Sequence, residues 1–329
     1  MNIDLFKAFY EERQLSEASF QFDLDVMRSL ETYIKDKHQL TLEELTINQL
    51  DGFIEQLVLQ EKNQTKVFVA MMRYFKFTKQ HDLYIRLTNY TGALDVIGSI
   101  YHKMEKVIGS KRAQMIIKEF PIPVLGTHII KLNQFTEQLV ESIRLNCTES
   151  EMKRILTDNH HLIPKEAFAQ ERLIYEASAS LEDYLKDLHM RKIEELKAFF
   201  EKDQVWFEQI MTQDVIDFVR NNPEIMSGVL KDDALYITKI PYDTNAYIKA
   251  ESDQMRSYHA CHCPFAKASI LEKGIHIDAN WCYCSAGFTK LPFEVALNQE
   301  LPIECISTAL KGDPLCRFKI DLSHVSYKK

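Results

Sequence analysis

The chain has 329 residues, of which 46% are hydrophobic and 27% charged, a composition typical of a globular protein that is long enough for two domains. Its formal net charge of −8 counts against general nucleic-acid binding. We expect a cytoplasmic protein with no membrane segment, because no stretch approaches the ~20 apolar residues of a membrane helix and the start shows no secretion-signal pattern.

Residues 1–109 are predicted to form an all-helical bundle. Nine glycines are few for this length, which favours long helices. Ser16 is placed to cap a helix whose apolar residues recur every three or four positions over residues 20–34. Thr46 and Gln49 form a capping-box pattern at the start of another helix. The repeated spacing indicates a bundle with one apolar face on each helix.

Residues 110–227 are predicted to be a helical connecting region, interrupted by a turn at Pro121, Pro123 and Gly126. After residue 228 the apolar period changes to two, which favours strands. In the part of the chain after residue 228, strands are predicted at 235–240, 258–263, 281–284, 293–296, 302–306 and 316–322. Residues 228–329 are therefore predicted to be a cysteine-rich domain built on a mixed, largely antiparallel sheet. Together with the bundle, this is an α+β fold.

The cysteines are the most informative feature of this last domain. Six of the seven lie here: Cys261, Cys263, Cys282, Cys284, Cys305 and Cys316. On an extended strand, each Cys-X-Cys pair directs both sulfurs to one side, and reduced cysteine is a preferred zinc ligand. His259 shares that side with the first pair. Two other interpretations stay open, namely ordinary core packing and a cysteine nucleophile at Cys261, Cys263 or Cys284.

Two motifs carry a resemblance to known families. YHACHCPFA begins at Tyr258 and WCYCSAGFTK begins at Trp281, and both resemble an uncharacterised bacterial family with paired CHCP and CYCSAGF motifs. The segment GDPLCRF from Gly312 is similar to the end of the 4-vinyl reductase, or hydrocarbon-binding, domain. The second resemblance implies an α+β domain with a structural zinc beside a pocket for a small apolar or aromatic molecule.

That resemblance also implies where the zinc ligands lie. Cys282 and Cys316 fall on the first and last ligand positions, and Cys305 falls on an acidic one. The remaining position is Thr308, which is a poor zinc ligand, so the fourth donor would come from Cys284, Cys261 or Cys263. Ligand-pocket candidates are Lys239, Tyr242, His259, Trp281 and Phe288.

The main functional hypothesis is a zinc-dependent module that binds or senses a small molecule. A hydrolase that uses a cysteine or a metal is the first alternative. The second arises because residues 1–109 resemble the helical core-binding domain of tyrosine recombinases, although no catalytic domain of that type follows. The basic residues suited to contact DNA are Lys62, Lys66, Arg73 and Lys76. A bundle of this kind is also suited to forming a homodimer.

Overall fold

The computed structural model describes residues 1–329, which fold into two compact units. The first unit comprises Met1–Leu94 and Pro123–His128, and the second comprises Asp95–Ile122 and Ile129–Lys329. The continuous N-terminal segment of the first unit therefore ends at Leu94, whereas the predicted bundle ends at residue 109. The reason is that the helix Val96–Ile108 packs against helices of the second unit.

The first unit is an all-helical bundle. Its helices are α1 (Ile3–Glu12), α2 (Glu17–His38), α3 (Ile47–Leu59), α4 (Thr65–Thr78) and α5 (His81–Thr91). Ser16 accepts a hydrogen bond from the Ser19 backbone N–H at the start of α2, and Thr46 forms a capping box with Gln49 at the start of α3. Both predicted helix starts are confirmed, because these side chains satisfy backbone N–H groups that have no partner within the helix.

An ion-pair network is buried inside this bundle. Asp23 is 1% exposed and accepts hydrogen bonds from the Tyr10 hydroxyl and from Arg73 Nη1, the latter at 3.1 Å. A second network joins Arg86 to Asp51 through two hydrogen bonds of 2.8 Å. Each buried carboxylate is thus matched by a cation, which is the condition under which such groups are tolerated.

The second unit contains ten helices and all the strands. Its helices are α6 (Val96–Ile108), α7 (Ser110–Ile117), α8 (Ile129–Asn146), α9 (Glu149–Leu156), α10 (Ala169–Ala177), α11 (Leu181–Glu201), α12 (Gln213–Arg220), α13 (Thr244–Lys249), α14 (Asp253–Ala260) and α15 (Tyr283–Leu297). Its strands are β1 (Val205–Trp206), β2 (Gln209–Ile210), β3 (Val229–Lys231), β4 (Ala234–Thr238), β5 (Ile303–Ser307) and β6 (Arg317–Asp321). The predicted helical connecting region is interrupted before α12, because β1 and β2 form a short antiparallel hairpin there.

The main sheet has four strands in the order β3-β4-β6-β5, and all neighbours are antiparallel. Ile237 of β4 is paired with Phe318 of β6, and the β5–β6 register shifts between Cys305 and Ser307. The predicted α+β class, with a helical bundle first and an antiparallel sheet in the C-terminal part, is confirmed. No helix of the chain has both the length and the hydropathy that a bilayer-spanning segment requires.

Three of the strands predicted around the cysteines are wrong. Residues 258–260 end α14, residues 261–263 are irregular, and residues 283–284 and 293–296 belong to α15. Side chains two residues apart on a helix point roughly 200° away from each other. The helical segment around Cys282 and Cys284 therefore does not aim both sulfurs at one point, as an extended strand would. Short apolar runs look alike in a buried helix and a buried strand, which explains the error.

Candidate thiol site and its basic surroundings

The six C-terminal cysteines come from several elements of the second unit, and all seven cysteines of the chain are free thiols. Cys261 and Cys263 lie in the loop after α14, and Cys282 ends a short 3₁₀ helix just before α15. Cys284 lies in the first turn of α15, Cys305 lies on β5, and Cys316 directly precedes β6. The pairing of β5 with β6 brings the last two cysteines to the same part of the sheet.

Four other thiols lie near enough to Cys282 to alter the ionisation of its side chain. The pKa of the Cys282 thiol is raised well above its usual value, first by burial and then by the neighbouring thiols, which are those of Cys316, Cys261, Cys305 and Cys263. The pKa of Cys284 is also raised by burial, and Cys263 is the only other cysteine that raises it further. Cys282 is therefore the centre of the cluster, and Cys284 lies at its edge.

The thiols of the cluster are protonated near neutral pH. Burial raises the pKa of Cys261 to about 12 and that of Cys305 to about 12, and it raises the pKa values of Cys263 and Cys316 as well. A cysteine nucleophile needs a lowered pKa, because the thiolate is the reactive form. The environment of these side chains therefore does not activate any of them.

Hydrogen bonds fix two of the sulfurs. Trp281, which is 1% exposed, donates from Nε1 to Cys263 Sγ at 3.3 Å, and the backbone N–H of Ala309 donates to Cys316 Sγ at 3.4 Å. The residue before Ala309 is Thr308, whose hydroxyl is fully buried and has no hydrogen-bond partner. A buried hydroxyl without a partner costs about 1–3 kcal/mol, so this unsatisfied group beside the cluster is notable.

These residues meet the chemical requirement for zinc but not yet the geometric one. Thiolates are preferred zinc ligands, and five cysteines exceed the four that a structural site needs. However, no three His, Cys, Asp or Glu side chains are arranged as a group that could hold a metal ion. Metal uptake would require the sulfurs to move closer together and to lose their protons.

The two histidines nearest to the cysteine pair in sequence have other contacts. His262 Nε2 is 2.7 Å from the Ile240 carbonyl oxygen, and burial lowers the pKa of its imidazole well below the usual value. The ring is therefore neutral and donates its N–H to that carbonyl. His259, the histidine predicted to join a metal site, lies in the last turn of α14 with its ring 5.4 Å from that of Tyr258.

Two lysines are held among aromatic rings beside the thiols. Lys239 donates to Ser285 Oγ at 3.1 Å, and its Nζ lies 5.6 Å from the centre of the Phe288 ring. Lys267 is 8% exposed, with Nζ 3.7 Å from the Tyr242 ring centre and 4.8 Å from that of Tyr258. Aromatic faces attract cations, and this attraction partly replaces the lost hydration of the ammonium groups.

The buried charges here alter one another. Burial lowers the pKa of Lys267 to about 8, although Cys261, Asp243 and Glu208 oppose this effect. Burial raises the pKa of Glu208, and the charges of Lys239 and Lys267 oppose that rise. The result is a desolvated region with basic groups on one side of the thiol cluster.

The five residues predicted to line a ligand pocket fall into small groups. Lys239 lies with Phe288, Trp281 contacts Cys263, and Tyr242 and His259 lie beside Lys267 and Tyr258 respectively. A cleft of about 450 Å³ elsewhere in this unit is lined by none of the five. Lys267 and Glu208 were not among the predicted site residues. Lys267 directly follows the CHCPFA motif, which marks it in the sequence, whereas Glu208 lies in a distant hairpin and no local pattern marks it.

The four basic residues predicted to contact DNA are used differently within the first unit. Arg73 is paired with the buried Asp23, and the ammonium group of Lys66 lies 4.7 Å from the centre of the Phe22 ring. Lys62 lines a cleft of about 510 Å³, and Lys76 is exposed. The four side chains therefore do not act as one free basic surface, since Arg73 is committed to a structural ion pair.

No protein-family model, no curated protein and no solved structure matches the chain. The resemblances drawn from the two cysteine motifs, from the GDPLCRF segment and from the N-terminal bundle therefore stay predictions. The thiol cluster and its surroundings are the features of the chain that indicate a function.

Proposed function

We propose that the protein is a zinc-binding module for a small aromatic molecule. Four ligands would be drawn from the five clustered cysteines, with Cys282 at the centre. The observation that supports this most is the convergence of four other thiols on the Cys282 side chain. In a reducing compartment such a cluster gains stability from a metal rather than from disulfides, which is why we also propose a cytoplasmic location.

The zinc would be structural in this proposal. It would tie the loop after α14, the start of α15 and the paired strands β5 and β6 together, and it would supply no reaction step. Binding must displace protons, because burial raises the pKa values of these thiols. The apparent affinity is therefore expected to rise with pH until the ligands are deprotonated.

Metal analysis of protein purified without an affinity tag tests the zinc proposal. About one zinc per chain is expected in the wild type and in Cys147→Ser, since Cys147 does not belong to the cluster. Cys282→Ser is expected to lose the metal, whereas Cys284→Ser should retain most of it. If the wild-type protein neither contains zinc nor takes it up in an anaerobic titration, the proposal is wrong.

The small molecule is proposed to bind beside Lys239 and Phe288, where a cation and an aromatic ring lie next to each other. Benzoate is a suitable probe, because its ring and its carboxylate match these two groups. Ligand-observed NMR should detect binding to the wild type, weaker binding to Lys239→Gln, and no change in Lys273→Gln, whose lysine is exposed and distant in sequence. Equal binding by all three proteins would contradict this placement.

The two alternative functions have less support. A cysteine hydrolase requires an activated thiolate, and burial raises the pKa of every cysteine in the cluster. A DNA-binding role for the first unit loses Arg73 to its ion pair with Asp23. Both alternatives therefore stay predictions from the sequence.

A further inference from the structure

A basic cleft in the second unit is lined by none of the six C-terminal cysteines and is separate from the proposed zinc ligands. It has a volume of about 450 Å³ and is formed by residues of α6, α9, α15 and β5 together with their adjoining loops. Its six basic side chains are Lys103, Lys106, Lys153, Arg154, Lys165 and Lys290, against the carboxylates of Asp158, Glu294 and Glu300. A surplus of positive charge in one cleft is unexpected in a chain whose net charge is −8.

Pairing within the cleft leaves three cations uncommitted. Lys103 is paired with Asp158 at 2.7 Å, and Lys290 is paired with Glu294 at 2.6 Å. Lys153 is paired with Glu149 on its own helix at 2.6 Å. The exposed side chains that have no ion-pair or hydrogen-bond partner are Lys106, Arg154 and Lys165. The only unpaired carboxylate in the lining is that of Glu300, so positive charge predominates among the groups free to bind a ligand.

The cleft also has an apolar side. Val107, Leu291 and Pro302 contribute hydrocarbon surface to its lining. A volume of this size lies within the range of pockets that hold cofactor-sized molecules. The paired lysines Lys103 and Lys290 are half-buried, so their positions are fixed by their carboxylate partners. The lining thus combines two paired lysines with three cations that have no partner.

We propose that this cleft binds a small molecule carrying two or more phosphate groups, of the size of a nucleotide. Phosphates bear several negative charges and are bound by lysine as a point charge and by arginine through two parallel hydrogen bonds. Lys106, Arg154 and Lys165 supply these charges. The apolar surface at Val107, Leu291 and Pro302 contacts the uncharged part of the ligand.

Isothermal titration calorimetry of the full-length protein with ATP and with inorganic pyrophosphate tests this proposal. Binding of both is expected at 50 mM NaCl and should weaken at higher salt, because the contacts are largely ionic. The triple variant Lys106→Gln, Arg154→Gln, Lys165→Gln is expected to bind at least about tenfold more weakly. Its side chains are exposed, so the fold should be retained, and an unchanged circular dichroism spectrum checks this.

The matched control is Lys249→Gln combined with Lys273→Gln, because both lysines are exposed in the same unit and lie outside the cleft. The control should bind ATP as the wild type does. Tighter binding of ATP than of pyrophosphate supports the role of the apolar side. Failure of the wild type to bind either probe would overturn the proposal, and so would equal losses in the triple variant and the control, which indicate only a general charge effect.

Discussion

Gly287 lies in α15 at a point where no larger residue fits. A Cβ atom built at this position would lie 2.3 Å from the backbone oxygen of Asp158 and 2.4 Å from its backbone nitrogen. Ordinary contacts begin at 3.4 Å, so the Asp158 backbone would have to move by about 1 Å. Backbone atoms cannot rotate out of the way as the end of a flexible side chain can.

Gly287→Ala is therefore expected to destabilise the second unit. Overpacking of this kind typically costs ~1–3 kcal/mol or more. Alanine has a better helix propensity than glycine by ~1 kcal/mol, which offsets part of the loss. Because the added Cβ would collide with backbone atoms of Asp158, we expect the net free energy of unfolding to fall by about 2 kcal/mol.

The control is Gly274→Ala, where a Cβ atom would meet no other atom within 4 Å and the backbone does not require a positive φ. This substitution should change the free energy of unfolding by less than ~1 kcal/mol. Both tryptophans of the chain, Trp206 and Trp281, belong to the second unit, so urea unfolding followed by their fluorescence reports on that unit. If Gly287→Ala is as stable as Gly274→Ala, the close approach of α15 to Asp158 is refuted.

Substitutions at three further positions have defined outcomes. Burial alone would raise the pKa of Glu171, but hydrogen bonds from Arg191 and Tyr184 lower it, and the net pKa is below the usual value. The Glu171 carboxylate therefore stabilises the fold above its unfolded-state pKa, and this stabilisation is lost as the pH falls. Glu171→Gln should cost about 1–3 kcal/mol at pH 7 and weaken the acid dependence of thermal unfolding; an unaltered pH profile contradicts this. Thr308→Val removes a buried hydroxyl without a partner and should stabilise the chelator-treated protein by about 1 kcal/mol in urea unfolding. A loss of stability would instead show that the hydroxyl makes a hydrogen bond. Asp23→Ala should cost about 1–3 kcal/mol in urea unfolding because the buried Tyr10 hydroxyl and Arg73 both lose their acceptor, and Asp23→Asn should cost less; equal values count against the network.

Local signals in the sequence predicted the helical character of residues 1–227 and three strands of the main sheet. The caps at Ser16 and Thr46 act on backbone groups a few residues away, so they are legible in the sequence alone. The strands β4, β5 and β6 were predicted for a similar reason, since their short apolar periods lie between turn residues. Where a segment is largely buried, as α15 is, period and length do not distinguish a helix from a strand, and the prediction failed.

The cysteine content by itself identified the region of the candidate site, and the convergence of sulfurs on Cys282 was decided by packing. The Cys-X-Cys spacing predicted that both sulfurs of each pair point to one side, but Cys282 and Cys284 lie at the start of a helix, where they do not. The thiols are instead brought together by the pairing of β5 with β6 and by the loop after α14. Neither Glu208 nor the free cations of the basic cleft could be recognised in advance. Burial and the distribution of ion pairs depend on contacts between residues far apart in the chain, and a local sequence pattern contains no record of those distances.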